Sequence, residues 1–378
     1  MNRSIKSMIV EALGPKITLL SGPRQVGKTT LSKNLSHTYA YYNYDTSKDA
    51  NVFIKQEWDQ NPPLVIFDEL HKKKNWKLWL KGLYDSGRFN RQFALVTGSA
   101  RLSHLRKVGD SLAGRFQEFR LHPLDLKELK NHGAAEENYR KLMERGGFPE
   151  PFLARNSDES RRWRKSHLDV ILRQDLLSLE VVRDLDSIEV LIELLSGRVG
   201  STVSFNSLAQ DLHVSDLTIK RWLGLLEDLY VVFRVSSYSK NLSRGLSKSG
   251  KYYFYDLGRV QGDESVKFEN LVALSLRKEL DFVEDTKGYR TKLHFVRNKE
   301  KQEIDFLILM ENHRPKLIEA KLSDDRVSKN FSAFANVAAN IEKIQLVATL
   351  DRRYDSKDGV AVENGLRYLT NLNLLSSP

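Results

Sequence analysis

The chain has 378 residues, 40% of them hydrophobic and 29% charged, with a formal net charge of +11 and no cysteine. That length exceeds what one hydrophobic core usually organises, so two or three domains are expected. The missing cysteines exclude disulfides and thiolate metal sites and fit a reducing cytoplasm, and no apolar run reaches the ~20 residues that span a bilayer.

The opening segment, MNRSIKSMIVEALG, carries a short apolar stretch at helical spacing and is read as a docking helix, not a signal peptide. From there to residue 123, apolar runs alternate with helical segments, the pattern of a parallel sheet flanked by helices. Strands are predicted at Ile17–Leu20, Ala40–Tyr44, Leu64–Phe67, Phe93–Thr97 and Phe116–Leu121, and helices near Lys28–Leu35, Asp49–Trp58 and Trp76–Tyr84. Residues 124–200 read as nearly all helix, broken at Gly146–Pro151, and suit a helical lid on a nucleotide-binding sheet. Residues 201–257 hold two short amphipathic helices, Ser207–Leu212 and Asp216–Leu229, then strand-like sequence at Tyr230–Val235 and Lys251–Tyr255. The last segment, 258–378, begins with a helix at Glu264–Leu280. Strands follow at Lys292–Arg297, Ile304–Met310 and Lys316–Ala320, then a helix near Ser328–Ile341 and a strand at Ile344–Ala348.

The most specific signal lies after the first strand. Gly22-x-x-x-x-Gly27-Lys28-Thr29 sits between an apolar strand and a helix, the context a phosphate-binding loop requires. Glycines let successive backbone N–H groups curl toward one anion, and the helix N-terminus adds positive potential. Gly22, Pro23, Arg24, Gln25, Val26, Gly27, Lys28, Thr29 and Thr30 are the candidate ATP-binding residues. Lys28 is expected on the β- and γ-phosphates and the Thr29 hydroxyl on Mg²⁺. The strand Leu64–Phe67 runs into Asp68 and Glu69, which supplies Asp68 to the magnesium shell and Glu69 as a general base for the attacking water. Thr97 and Ser99, at the end of the fourth strand, are candidate γ-phosphate sensors, with Ser99 assigned to the nucleotide. A plain strand-end turn is the alternative. Arg115, at the start of the fifth strand, is a candidate arginine finger acting in cis or, in a homo-oligomer, in trans. A surface arginine in a turn competes with that reading.

Ser207–Leu223 reads as a helix-turn-helix, its second helix capped by Ser215 or Asp216. Leu217, Ile219, Leu223 and Leu226 are expected to face the core, leaving Thr218, Lys220 and Arg221 outward. With Lys240, Arg244, Lys248 and Lys251 in a basic wing, these residues form a candidate DNA-binding surface. The same module also serves as a protein–protein connector. Further on, a hairpin about Asn312 places Asp305 opposite Glu319, with Lys321 on the same face. Such a set can bind Mg²⁺ and activate water, and Glu269 on the preceding helix completes it. A hairpin with a charged outer face is the plainer reading.

Several stretches carry a resemblance: Ser21–Thr30, Phe67-Asp-Glu-Leu-His71, Val96–Ser99, Ser111-Leu-Ala-Gly-Arg115 and Gly146-Gly-Phe-Pro-Glu150. Together they look like a widespread prokaryotic AAA+ type ATPase family, similar to the archaeal helix-turn-helix ATPases. Members carry a C-terminal domain of unknown function similar to PD-(D/E)xK restriction endonucleases, matched here by Tyr253–Gly258, Glu269-Asn270, Glu303-Ile-Asp305 and Glu319-Ala-Lys321. The resemblance implies an α/β fold: a P-loop NTPase parallel sheet with helical lid, a winged helix, and a restriction-endonuclease-like α/β domain. The expected activity is ATP hydrolysis, driving a switch or motor on DNA in the cytoplasm, with no membrane partner. An ATP-gated, Mg²⁺-dependent nuclease and a regulatory protein-interaction scaffold are the competing readings.

Overall fold

The computed structural model describes residues 3–99, 112, 114–176, 184–239, 250–338 and 340–375. They form two compact units, Met1–His122 with Asp228–Tyr230, and Pro123–Glu227 with Val231–Pro378. Lys240, Arg244 and Lys248 fall outside the described residues, as do Ser111 and Ala113 of the motif that ends in Arg115.

The first unit is built on a five-stranded parallel sheet: β1 (Ile17–Ser21), β2 (Ala40–Asn43), β3 (Leu64–Asp68), β4 (Phe93–Thr97) and β5 (Phe116–Arg120). The strand order is β2-β3-β4-β1-β5, which puts β1 between β4 and β5. Each strand lies within one residue of its predicted bounds. The signal was strong because β1 and β3 are buried along their whole length, so both faces demand apolar residues. Phe67 of β3 anchors one face, with edge-on contacts to Phe53, Trp58 and Trp79. Ile17, Leu19, Val65, Val96, Leu80 and Leu83 fill the core around it. The N-terminal helix Lys6–Ala12 docks through fully buried Ile9.

The second unit carries an eight-stranded mixed sheet in the order β12-β13-β11-β10-β9-β8-β6-β7. Its strands are β6 (Val232–Ser237), β7 (Gly250–Phe254), β8 (Thr291–Arg297), β9 (Glu303–Met310), β10 (Lys316–Lys321), β11 (Glu342–Val347), β12 (Tyr354–Asp355) and β13 (Val360–Asn364). The helix Glu264–Lys287, capped by the Asp263 side chain, buries thirteen residues. Its Asn270 amide exchanges two hydrogen bonds with the Phe254 backbone, at 2.8 and 2.9 Å, and so pairs β7 as a neighbouring strand would.

A first correction concerns the wing. The two strands assigned to a wing, β6 and β7, form an antiparallel hairpin, but β6 also pairs in parallel with β8. The helix-turn-helix pair itself is present, as Phe205–Asp211 and Asp216–Asp228. Leu217 is a second correction, since it is 75% exposed, and Trp222 takes its place among the buried Ile219, Leu223 and Leu226. At 100° per residue, position 217 falls on the far side of the helix from 219. A third correction concerns Ser328–Ile341, where, among the described residues, only Asn330–Ala333 is helical. Ser328 and Ser332 bond nearby backbone groups, which competes with helix continuation, and the Asn330 side chain donates to the Glu303 carbonyl on β9. Among the described residues, no helix is long and apolar enough to cross a membrane.

Candidate nucleotide site and a buried acidic cluster

The carboxyl ends of β1 and β3 carry the first site. Gly22 leaves β1 at φ 142°, and a Cβ there would lie 2.2 Å from the Leu121 carbonyl oxygen, so only glycine fits. Gly27, at φ 99°, then turns the chain into the helix Lys28–Lys33. The Lys28 ammonium lies across the loop, donating to the carbonyls of Gly22 (2.9 Å) and Pro23 (2.7 Å). Arg3, near the chain start, braces the loop from behind by donating to the Val26 carbonyl (3.0 Å) and to that of His122.

Asp68 ends β3 facing the loop. Its Oδ2 accepts from the hydroxyls of Thr29 and Tyr41, each at 2.7 Å, and its Oδ1 from the Thr97 hydroxyl and the Glu69 N–H (3.1 Å). Thr29 and Asp68, 39 positions apart in sequence, thus form the oxygen pair expected to hold magnesium. Glu69 follows in a left-handed conformation, φ 56°. Burial raises its carboxyl above the ordinary value, opposed chiefly by the positive charge of Lys28. Its Oε2 is buried without a hydrogen-bond partner, 3.8 Å from His71 Nδ1 and 3.6 Å from Lys72 Nζ. His71 Nε2 in turn lies 3.2 Å from the Ser99 hydroxyl. Of the two predicted sensors, Thr97 is therefore engaged with Asp68, and Ser99 reaches Glu69 only through His71.

Arg115 is not at this site. It precedes Phe116, which pairs with Ile17 at the opposite end of β1 from the loop, roughly 13 Å away along the strand. Its guanidinium pairs with Asp85 at 2.8 Å. A cis finger is excluded by that distance.

Residues that sequence reasoning gave no role complete the arrangement. Tyr41 orients Asp68 and carries Lys33 over its ring at 3.7 Å. His71 was quoted only as part of a motif. Neither has a local signature, since their partners lie 27 and 28 positions away.

In the second unit, the hairpin register Ile318↔Phe306 puts Glu319 across from Asp305, as the sequence implies. The Ala320 N–H donates to Asp305 Oδ2 at 3.0 Å, and Lys321 Nζ pairs with Glu319 at 2.7 Å. Glu269 joins from the long helix. Lys251 on β7 corrects the expected wing: it is 1% exposed and cannot face DNA, and its Nζ lies 3.2 Å from Glu269, 2.7 Å from Glu303 and 3.3 Å from Asp305. Burial would lower this ammonium's pKa, but Asp305, Glu269 and Glu303 together hold it above its ordinary value. Burial, then Asp305, raises the Glu319 carboxyl to about 8 and that of Glu269 to about 7. Among the described residues, no three carboxylate, imidazole or thiol side chains are arranged to hold a metal ion. The Lys251 ammonium stands between Glu269, Glu303 and Asp305, where the nuclease-like reading expected magnesium.

On the helix Asp216–Asp228, Lys220 and Arg221 are exposed as predicted, Lys220 lying 5.5 Å from the Phe205 ring. Thr218 is partly buried, its N–H and hydroxyl bonded to Ser215 as a helix cap (3.1 and 2.9 Å).

Comparison with known proteins matches three segments of the chain. Residues 14–130 match the family described as AAA domain. Residues 136–261 and 266–365 match two domains of unknown function, DUF8612 and DUF4143. An uncharacterized protein of Mycobacterium tuberculosis is 26% identical over 365 residues, covering 94% of this chain and 81% of its own length. One from Methanocaldococcus jannaschii is 24% identical over 377 residues, covering 90% and 82%. Among solved structures, the Thermotoga maritima RuvB Holliday junction branch migration motor is 17% identical, covering 62% of this chain and 90% of its own, with a TM-score of 0.33. Residues 14–130 are thus similar to the AAA domain family, and the first unit is an α/β fold with a glycine-bounded loop after the first strand of a parallel sheet.

Proposed function

We propose that the first unit binds ATP and hydrolyses it with magnesium. The observation that carries this is the 2.7 Å hydrogen bond between Thr29 and Asp68, beside Lys28 and immediately before Glu69. Magnesium when bound would neutralise phosphate charge, and Thr29 and Asp68 are the pair that would hold it, since this ion commonly takes only one or two protein ligands. The glycine-bounded loop offers its N–H groups to the phosphates, and Lys28 places its charge on them. Water adds to the γ-phosphorus, its proton passes to the Glu69 carboxylate, and ADP leaves. A carboxyl raised by burial is a better proton acceptor near neutrality than an exposed one. His71 and Ser99 fix the approach to Glu69.

The partner of this cycle is DNA. The chain carries a net charge of +11, and Lys220 and Arg221 stand exposed on the second helix of the helix-turn-helix; phosphate contacts from such residues dominate nucleic-acid affinity. Two assays test the reading. In the first, wild type releases phosphate from ATP with Mg²⁺, Lys28→Ala loses nucleotide binding, and Glu69→Gln binds ATP but turns over about 100-fold slower or worse. Normal turnover in Glu69→Gln removes the base from the proposal. In the second, a gel shift of labelled duplex weakens steeply with salt and with Lys220→Glu/Arg221→Glu. Undetectable binding at low salt refutes the DNA half alone.

A further inference from the structure

The acidic cluster of the second unit stands independently of the ATPase reading. Lys251 reaches it from β7, outside the Asp305–Glu319–Lys321 motif. An ammonium has three N–H donors, and three carboxylates surround this one, at 2.7, 3.2 and 3.3 Å. Two of the three use their second oxygen elsewhere. Asp305 uses Oδ2 on the Ala320 N–H and Glu303 turns its other oxygen to Arg297 at 3.5 Å, while the Glu269 oxygen that faces Lys251 also accepts from the Tyr253 hydroxyl at 2.7 Å. The Phe295 ring closes another side, 5.6 Å from the ammonium.

We infer that the Lys251 ammonium is the resident cation of this cluster, standing where a divalent metal would have to sit, so that the unit holds its carboxylates together without metal and does not cleave phosphodiesters. Three cations, Lys251, Lys321 and Arg297, already face the four carboxylates Glu269, Glu303, Asp305 and Glu319. Magnesium demands six oxygens at about 2.0–2.1 Å, many of them water. Entering here, it would meet a fixed positive charge about 3 Å away in a desolvated site, where Coulomb repulsion is poorly screened. The motif's own lysine, Lys321, is a separate group: it is 37% exposed and pairs with Glu319. Lys251 replaces the metal by geometry and by charge together.

The test uses full-length protein without nucleotide and Mn²⁺ alone as the probe, with bound metal counted by electron paramagnetic resonance. Wild type and Asp305→Asn should bind the same number of Mn²⁺ ions, whatever the phosphate loop contributes to both. Lys251→Met should gain one site, and Lys251→Met/Asp305→Asn should lose it again. A wild-type site that Asp305→Asn abolishes overturns the inference, as does Mg²⁺-dependent nicking of supercoiled plasmid that the same substitution stops. A folded Lys251→Met that gains no site also overturns it. Should Lys251→Met fail to fold, the wild-type and Asp305→Asn pair decides alone.

Discussion

Tyr41→Phe probes the nucleotide site with the least disturbance. It deletes one oxygen and keeps the ring under Lys33, so packing and the cation–π contact remain. What is lost is one of the two hydroxyls on Asp68 Oδ2, leaving Thr29 there and Thr97 and the Glu69 N–H on Oδ1. A hydrogen bond to a charged group contributes about 1.5–3 kcal/mol. Tyr41 is only half buried, which puts the loss nearer about 1–2 kcal/mol, or roughly 5–30-fold in rate. The loss falls on the orientation of Asp68 alone. Steady-state phosphate release should therefore show a lower kcat and a higher magnesium requirement, with nucleotide affinity in the absence of metal unchanged. Wild-type kcat and wild-type magnesium dependence in Tyr41→Phe would refute the claim that this hydroxyl positions Asp68. Equal loss of metal-free nucleotide affinity would refute it differently, by showing damage to the loop.

Other outcomes follow from the same geometry. Arg115→Ala should leave hydrolysis by dilute, monomeric protein within about twofold of wild type, because the side chain pairs with Asp85 at the far end of β1; a large loss at that dilution contradicts the placement. Arg3→Ala removes the brace on the Val26 carbonyl and should weaken nucleotide binding about 3–10-fold, from the ~1 kcal/mol net worth of a typical hydrogen bond, as measured by titration with a fluorescent ATP analogue. Glu319 sets a pH dependence of stability. Its folded pKa, about 8, lies above the ordinary 4.5, so its contribution is complete below pH 4.5 and is lost as pH rises through about 8. Wild-type Tm should therefore fall relative to Glu319→Gln by at least about 3 °C between about pH 5 and 8.5. Parallel Tm curves for the two proteins contradict the shift.

How much of this was legible depended on sequence distance. Gly22–Thr29 is contiguous, and its chemistry is written in residue types at fixed spacing. Asp68 and Glu69 were readable because a fully buried parallel strand announces where it ends. The Asp305–Glu319 pairing was readable because a tight hairpin fixes its own register. Tyr41, His71, Arg3 and Lys251 were not. Each acts across 23 or more positions, or from another strand, and an isolated tyrosine or lysine gives no hint of its partner. Arg115 was misplaced for a related reason: its motif marks the start of a strand, and only the parallel register with β1 reveals which end of the sheet that start occupies. The helix expected at Ser328–Ile341 failed because apolar spacing ignores side chains that bond their own backbone.

The pairing of β6 with β8 bears on how this chain can be dissected. The two families of unknown function meet between residues 261 and 266, and a gene cut there would look natural on sequence grounds. Physically it would split one sheet. The N-terminal piece would keep a lone β6–β7 hairpin, a marginal structure in water, with Lys251 stripped of its carboxylates. The C-terminal piece would bare the edge of β8, a template for pairing with other chains, and leave Asp305, Glu269 and Glu303 without their ammonium. Each half should be insoluble alone, and co-expression of the two should recover both. On this view the segments 136–261 and 266–365 of this chain are complementary fragments of a single folding unit.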